Sequence, residues 1–181
     1  MAIKEIIRMG HPTLREVAQP FPLQEIGSEK FNNLVTDLKD TLEATGNGIG
    51  LAAPQIDVGF RVAVINIPNP TTRYGPVTPL PFTVFVNPEI TVINEQTEGY
   101  WEGCLSVPNM MGYVERPQQI RVDYFDRTGS AQTIELDGFL ATVFQHEFDH
   151  LDGFLYVDRL KDTRLFSFDT EYAHYHLPKT E

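Results

Sequence analysis

Apolar residues recur at helical spacing in two stretches of the chain and alternate with polar ones in several shorter stretches between them. In residues 27–44, Phe31, Leu34, Val35, Leu38 and Leu42 share one helical face, and Gly27 or Ser28 stands where an N-cap belongs. The run Gly46-Asn47-Gly48-Ile49-Gly50 stops this helix. Residues 60–67 then alternate and are β-branched, as a strand requires. Shorter strands are predicted at residues 83–86, 89–93, 120–125 and 131–136, divided by Pro and Gly, with Asp126-Arg127-Thr128-Gly129 as a hairpin turn. Residues 68–81 hold five prolines in fourteen positions. Proline cannot donate to a sheet ladder, so this stretch reads as a mobile, exposed connection. A second helix is predicted from Asp137-Gly138, burying Leu140, Val143, Phe144, Phe148 and Leu151, with Gly153 as its stop.

The order helix, strands, helix predicts an α+β fold, with small mixed or antiparallel sheets packed around the second helix. At 181 residues, 41% hydrophobic, the chain can bury one core and leaves little for a second, so residues 1–181 read as a single domain. A net charge of -11 repels phosphates and anionic lipids, which argues against DNA and membrane surfaces as partners. No run approaches the roughly 18 apolar residues of a membrane span, and Met1-Ala2-Ile3-Lys4-Glu5 does not open a signal peptide, so a cytoplasmic protein is expected. The one cysteine, Cys104, excludes an intrachain disulfide and leaves core packing, nucleophile or metal ligand as its roles.

The second helix carries His146-Glu147-Phe148-Asp149-His150, an H-E-x-x-H pattern whose two imidazoles lie on one face and can grip one ion, with Glu147 free to address water. Two solvated histidines would give the same five letters, but burying them in so apolar a helix is costly without a partner. A catalytic site of this kind needs a third protein ligand. The metzincin extension places Tyr156, not His, at its third-ligand position, and a thermolysin-like site would have to use Glu171. Cys104, in Glu102-Gly103-Cys104-Leu105-Ser106, offers a thiolate suited to iron, zinc or nickel, although a lone cysteine between Gly and Leu is also a common core residue.

Three separated segments together resemble the signature motifs of the peptide deformylase family: Gly48-Ile49-Gly50-Leu51-Ala52-Ala53-Pro54-Gln55, Glu102-Gly103-Cys104-Leu105-Ser106 and Gln145-His146-Glu147-Phe148-Asp149-His150. Gly10-His11-Pro12-Thr13-Leu14-Arg15 is similar to the family's opening, and the resemblance spans about residues 3 to 160. It implies an enzyme that removes the N-terminal formyl group from formyl-methionyl nascent peptides. It implies one divalent metal ion held by Cys104, His146 and His150, with Fe2+ expected and Ni2+, Co2+ or Zn2+ as substitutes. It assigns Glu147 as general base, and the Gln55 side chain and Leu105 backbone N–H as oxyanion donors. Ile49, Tyr100, Leu105 and Val143 match the family's pocket for the methionine side chain, and the backbone near Gly50 would pair with the peptide.

Each of these pocket residues could equally be ordinary core. Glu102 and Arg116 would be either a pair bracing the cysteine loop or a solvated surface pair. Two departures from better-known bacterial members stand out. Met111 replaces a basic residue that many carry seven after the cysteine, and the short acidic tail, residues 160–181, offers no basic helix for docking on the ribosome, so at most a transient contact is expected. Two rivals remain: an H-E-x-x-H protease that would not need Cys104, and a non-catalytic binding module that would not need Glu147 and Gln55.

Overall fold

A computed structural model describes residues 3–68, 71–72 and 75–177, the pairs 71–72 and 75–76 through their backbone alone. The first helix, α1 (Glu29–Ala44), begins where Ser28 Oγ accepts the Phe31 N–H at 3.2 Å, which settles the N-cap in favour of Ser28. Strands β1 (Gly50–Ala52) and β2 (Val62–Ile67) follow, then a short pair, β3 (Thr71–Thr72) and β4 (Gly75–Pro76). The chain continues through β5 (Leu80–Cys104), β6 (Val107–Phe125), β7 (Ala131–Asp137), α2 (Gly138–Asp149), β8 (Phe166–Phe168) and α3 (Asp169–Tyr175).

The main sheet runs β1-β2-β5-β6-β7, with β8 added to β6. Every described strand pair is antiparallel, so the alternative of mixed sheets gives way to one six-stranded antiparallel sheet and the two-stranded β3–β4 pair. Parallel pairing among the described residues is limited to a single bridge between Gln19 and Phe60.

The sequence pattern divides β5 and β6 into short strands and predicts none over residues 94–101 and 107–119, with residues 102–106 only strand-like. They form instead one long hairpin, because prolines that look like strand ends are absorbed at irregularities in the ladder. Pro88 falls in the register shift between Val86 and Glu89, beside Asn87 at φ +49°, and Pro117 pairs with Thr97 next to another shift. The proline-rich stretch, read as a bare connection, contains the β3–β4 pair, while its residues 69, 70, 73 and 74 lie outside the described residues.

The sheet is packed on both faces, and strand alternation decides which residue serves which side. Leu51, Val62, Val64, Val84 and Val86 join the apolar face of α1, whereas Ala52, Ala63, Ile65, Ile67 and Phe85 join that of α2. Phe85 meets the rings of Phe144 and Phe148 at 5.0 and 5.6 Å, which seats α2 on β5. Fully burying such a side chain stabilises by about 1.5–3 kcal/mol. Val143, Phe144, Phe148 and Leu151 are buried as expected, but Leu140 is only partly so. After a 3-10 turn, Gly153 ends this segment at φ +78°, and a Cβ there would lie 2.8 Å from the carbonyl oxygen of Arg15.

Near the C-terminus, β8 pairs with Met110, Met111 and Gly112 of β6. The Tyr172 and His176 rings then pack, tilted, 4.9 and 4.7 Å from Trp101. α3 carries Asp169 and Glu171 in its first turn, and residues 178–181 of the acidic tail lie outside the described residues. No described helix is long and apolar enough to cross a membrane.

Candidate active site

The α2 helix and the tip of the β5–β6 hairpin bring Cys104, His146 and His150 together. One ligand atom from each lies within 4.8 Å of the others, and they form the group of metal-capable side chains found among the described residues. Cys104 Sγ is 3.4 Å from His150 Nε2. His146 Nδ1 is bound to Glu102 Oε2 at 2.7 Å, which fixes the ring and leaves Nε2 to face the sulfur. Tyr156, at the metzincin third-ligand position, is buried and stacks on His146 at 6.0 Å, and Glu171 is exposed on α3, outside the cluster.

Burial pushes the Cys104 thiol up, but the charge of His150 and hydrogen bonds from both histidines outweigh it and hold the thiol at about 5. At neutral pH the sulfur is therefore a thiolate, the form that binds metals. His146, which burial would push down, is instead raised well above its usual value by Cys104 and Glu102. A thiolate and two imidazoles converging at this range suit a divalent transition ion, which would displace the protons they otherwise share.

Glu102 and Arg116 resolve into a buried pair rather than a solvated one. Arg116 Nε and Nη2 donate to the two Glu102 oxygens at 2.7 and 3.0 Å, and both residues are 5% exposed or less. Sequence reasoning missed the rest of this network. Arg116 Nη1 also donates to Asp149 Oδ2 at 2.8 Å, and Asp149 in turn accepts from Arg159 at 2.7 and 3.2 Å. Asp149 is one of the two variable letters in H-E-x-x-H, so no pattern marked it; its signal was a carboxylate at the end of an apolar helix.

Glu147 is buried, and burial raises its pKa despite the neighbouring histidines. Its Oε2 has no hydrogen-bond partner among the described residues. Gly50 makes room for it: a Cβ at that position would lie 2.4 Å from Glu147 Cδ and Oε1. Gln55 is locked from behind, with Oε1 accepting the Ala52 N–H at 2.9 Å, so that Nε2 points at Ser106 Oγ (3.2 Å) and Cys104 Sγ (3.6 Å).

A cavity of about 530 Å³ opens over this cluster. Ile49, Gly50, Gln55, Leu105, Val143 and Glu147 all line it. Tyr100 is not among the lining residues: it is half-buried and edge-on at 5.4 Å to Phe139, which does line the cavity. Trp101, Met111 and Asp169 also line it, and sequence reasoning had proposed none of these as wall residues.

The family model of polypeptide deformylases matches residues 3–165. A peptide deformylase of Leptospira biflexa is 41% identical over 171 residues, 94% of this chain and 95% of the relative. Peptide deformylase 1 of Prochlorococcus marinus is 43% identical over 94% of this chain and 88% of its own length. A crystal structure of the class I type b peptide deformylase of Acinetobacter baumannii, bound to Met-Ala-Ser, superposes with a TM-score of 0.80 at 34% identity, covering 88% of this chain and 99% of that one.

Proposed function

Since the chain belongs to the peptide deformylase family, we propose that it hydrolyses the formamide bond of formyl-methionyl peptides, releasing formate and a free N-terminal amine. The observation that carries this reading is the convergence of a Cys–His–His donor set, a buried carboxylate and a locked amide donor in one cavity.

Cys104, His146 and His150 would hold the ion. A divalent metal bound there, ferrous iron in our reading with nickel, cobalt or zinc as substitutes, would activate water and polarise the formyl carbonyl. Glu147 then takes a proton from water as its oxygen bonds to the formyl carbon, and delivers that proton to the nitrogen as the C–N bond breaks. Its raised pKa suits both halves of this transfer. The oxyanion formed in between is met by Gln55 Nε2, which Ala52 already holds in position, and by the backbone N–H of Leu105. One such donor is typically worth about 3–4 kcal/mol in the transition state.

The methionine side chain occupies the apolar wall made by Ile49, Leu105 and Val143, with Phe139 in the place first given to Tyr100. β1 stands at the edge of the sheet, so the peptide backbone can add to it beside Gly50 as a further strand. The work is cytoplasmic, on nascent chains, with at most transient ribosome contact. The test is formate release from formyl-Met-Ala-Ser by anaerobically prepared, iron-loaded protein. We expect release that chelation abolishes and metal restores. No formate, or cleavage of internal peptide bonds, would overturn the reading.

A further inference from the structure

The family match ends at residue 165, yet the cavity wall does not. The segment after it forms β8 on Met110–Gly112 and then turns into α3, whose first residue, Asp169, lines the cavity. Its position is held from two sides. The β8 ladder fixes the residue before it, Phe168 opposite Met110, and the Tyr172 and His176 rings pack against Trp101, itself a wall residue.

Asp169 is exposed and makes no hydrogen bond or ion pair with another described residue, so its carboxylate sits at the cavity mouth with its charge unspent. The other acidic wall residues differ in kind: Glu102 is neutralised by Arg116 and His146, and Glu147 is buried beneath the mouth. Among the described residues, no lysine or arginine lines the cavity. A peptide whose first side chain fills the apolar wall must lead its following residues out through this mouth.

Resting on the deformylase reading, we propose that Asp169 is a specificity-determining residue. It favours formyl-methionyl peptides that carry a cationic side chain in the second or third position and disfavours acidic ones there. The contact is solvent-exposed, so its effect is modest and sensitive to salt.

The test compares kcat/KM for formyl-Met-Ala-Lys, formyl-Met-Ala-Ser and formyl-Met-Ala-Glu, each as the C-terminal amide, in wild-type, Asp169→Asn and Asp169→Lys proteins loaded with the same metal. We expect wild type to favour the lysine over the glutamate peptide by about two- to fivefold at low ionic strength. The preference should fall towards unity in Asp169→Asn, reverse in Asp169→Lys, and fade in wild type as salt is raised. The serine peptide is the neutral reference within each protein, and circular dichroism spectra matching wild type show that both variants are folded. Hydrolysis of all peptides with the same ratio in wild type and both variants would overturn the inference while leaving the deformylase reading standing. No hydrolysis of any of the three by wild type would overturn the reading on which it rests.

Discussion

Replacing Arg116 by methionine removes a cation that ties three elements together: Glu102 on β5, Asp149 at the end of α2, and its own strand β6. Removing one partner of a buried pair leaves an uncompensated charge and typically costs about 3–5 kcal/mol. Here Asp149 keeps Arg159 and Glu102 keeps His146, which points to the lower end, about 3 kcal/mol. Arg159→Met is the control. Its side chain is 45% exposed and its carboxylate partner retains Arg116, so it should cost about 1 kcal/mol or less. Urea unfolding of metal-free samples measures both. With a slope of about 2 kcal/mol per molar, Arg116→Met should lower the midpoint by about 1.5 M and Arg159→Met by a third of that or less. Burial pushes the carboxyls of Glu102 and Asp149 up, but their arginine and histidine partners outweigh it and hold them below their ordinary values. Groups depressed in the folded state contribute stability above about pH 4 and lose it as pH falls through the folded value. The gap between wild type and Arg116→Met should therefore narrow as pH is lowered from about 6 to 3. Equal losses in the two variants, or a gap that widens in acid, would refute this account.

Three further outcomes follow from the site. Glu147→Ala should retain close to one metal per chain while turnover falls by about a hundredfold or more, and metal loss in step with activity would assign it a ligand's role instead. Gly50→Ala puts a methyl group where the Glu147 carboxylate lies, so turnover should drop by about tenfold to a hundredfold with metal content unchanged; an unaltered rate would mean that the carboxylate's placement does not matter. Iron-loaded protein should lose activity in air, with oxidation of the metal or of the Cys104 sulfur detectable by spectroscopy and mass, while nickel-loaded protein keeps its activity; equal persistence of both would argue against a redox-labile iron–thiolate centre.

The helices were legible because each buries one face at a spacing of three and four, and α1 and α2 start and stop close to where caps and glycines place them. The long hairpin was not, since a strand that tolerates Pro88 and Pro117 at register shifts carries the same punctuation as several short strands. His146, Glu147 and His150 stood out through motif spacing, and Cys104 and Gln55 through resemblance to a family. Pocket walls are decided by which side chains meet across distant segments, so no local pattern pointed to Phe139, which lines the cavity and meets the Tyr100 ring edge-on. Arg116 and Glu102 were paired correctly, but Asp149 and Arg159 complete that network through contacts that no local pattern encodes.

The addition of β8 to β6 also bears on how the molecule avoids its own kind. β7 covers β6 only over residues 119–125, which leaves the stretch around Met110–Gly112 with backbone groups facing outward unless something pairs with them. Uncovered strand edges with apolar neighbours invite another chain to continue the ladder. β8 closes this one with three residues and, being that short and followed at once by a helix, presents little edge of its own. The strand that leads into Asp169 at the cavity wall thus also covers an edge at which a second chain could otherwise add.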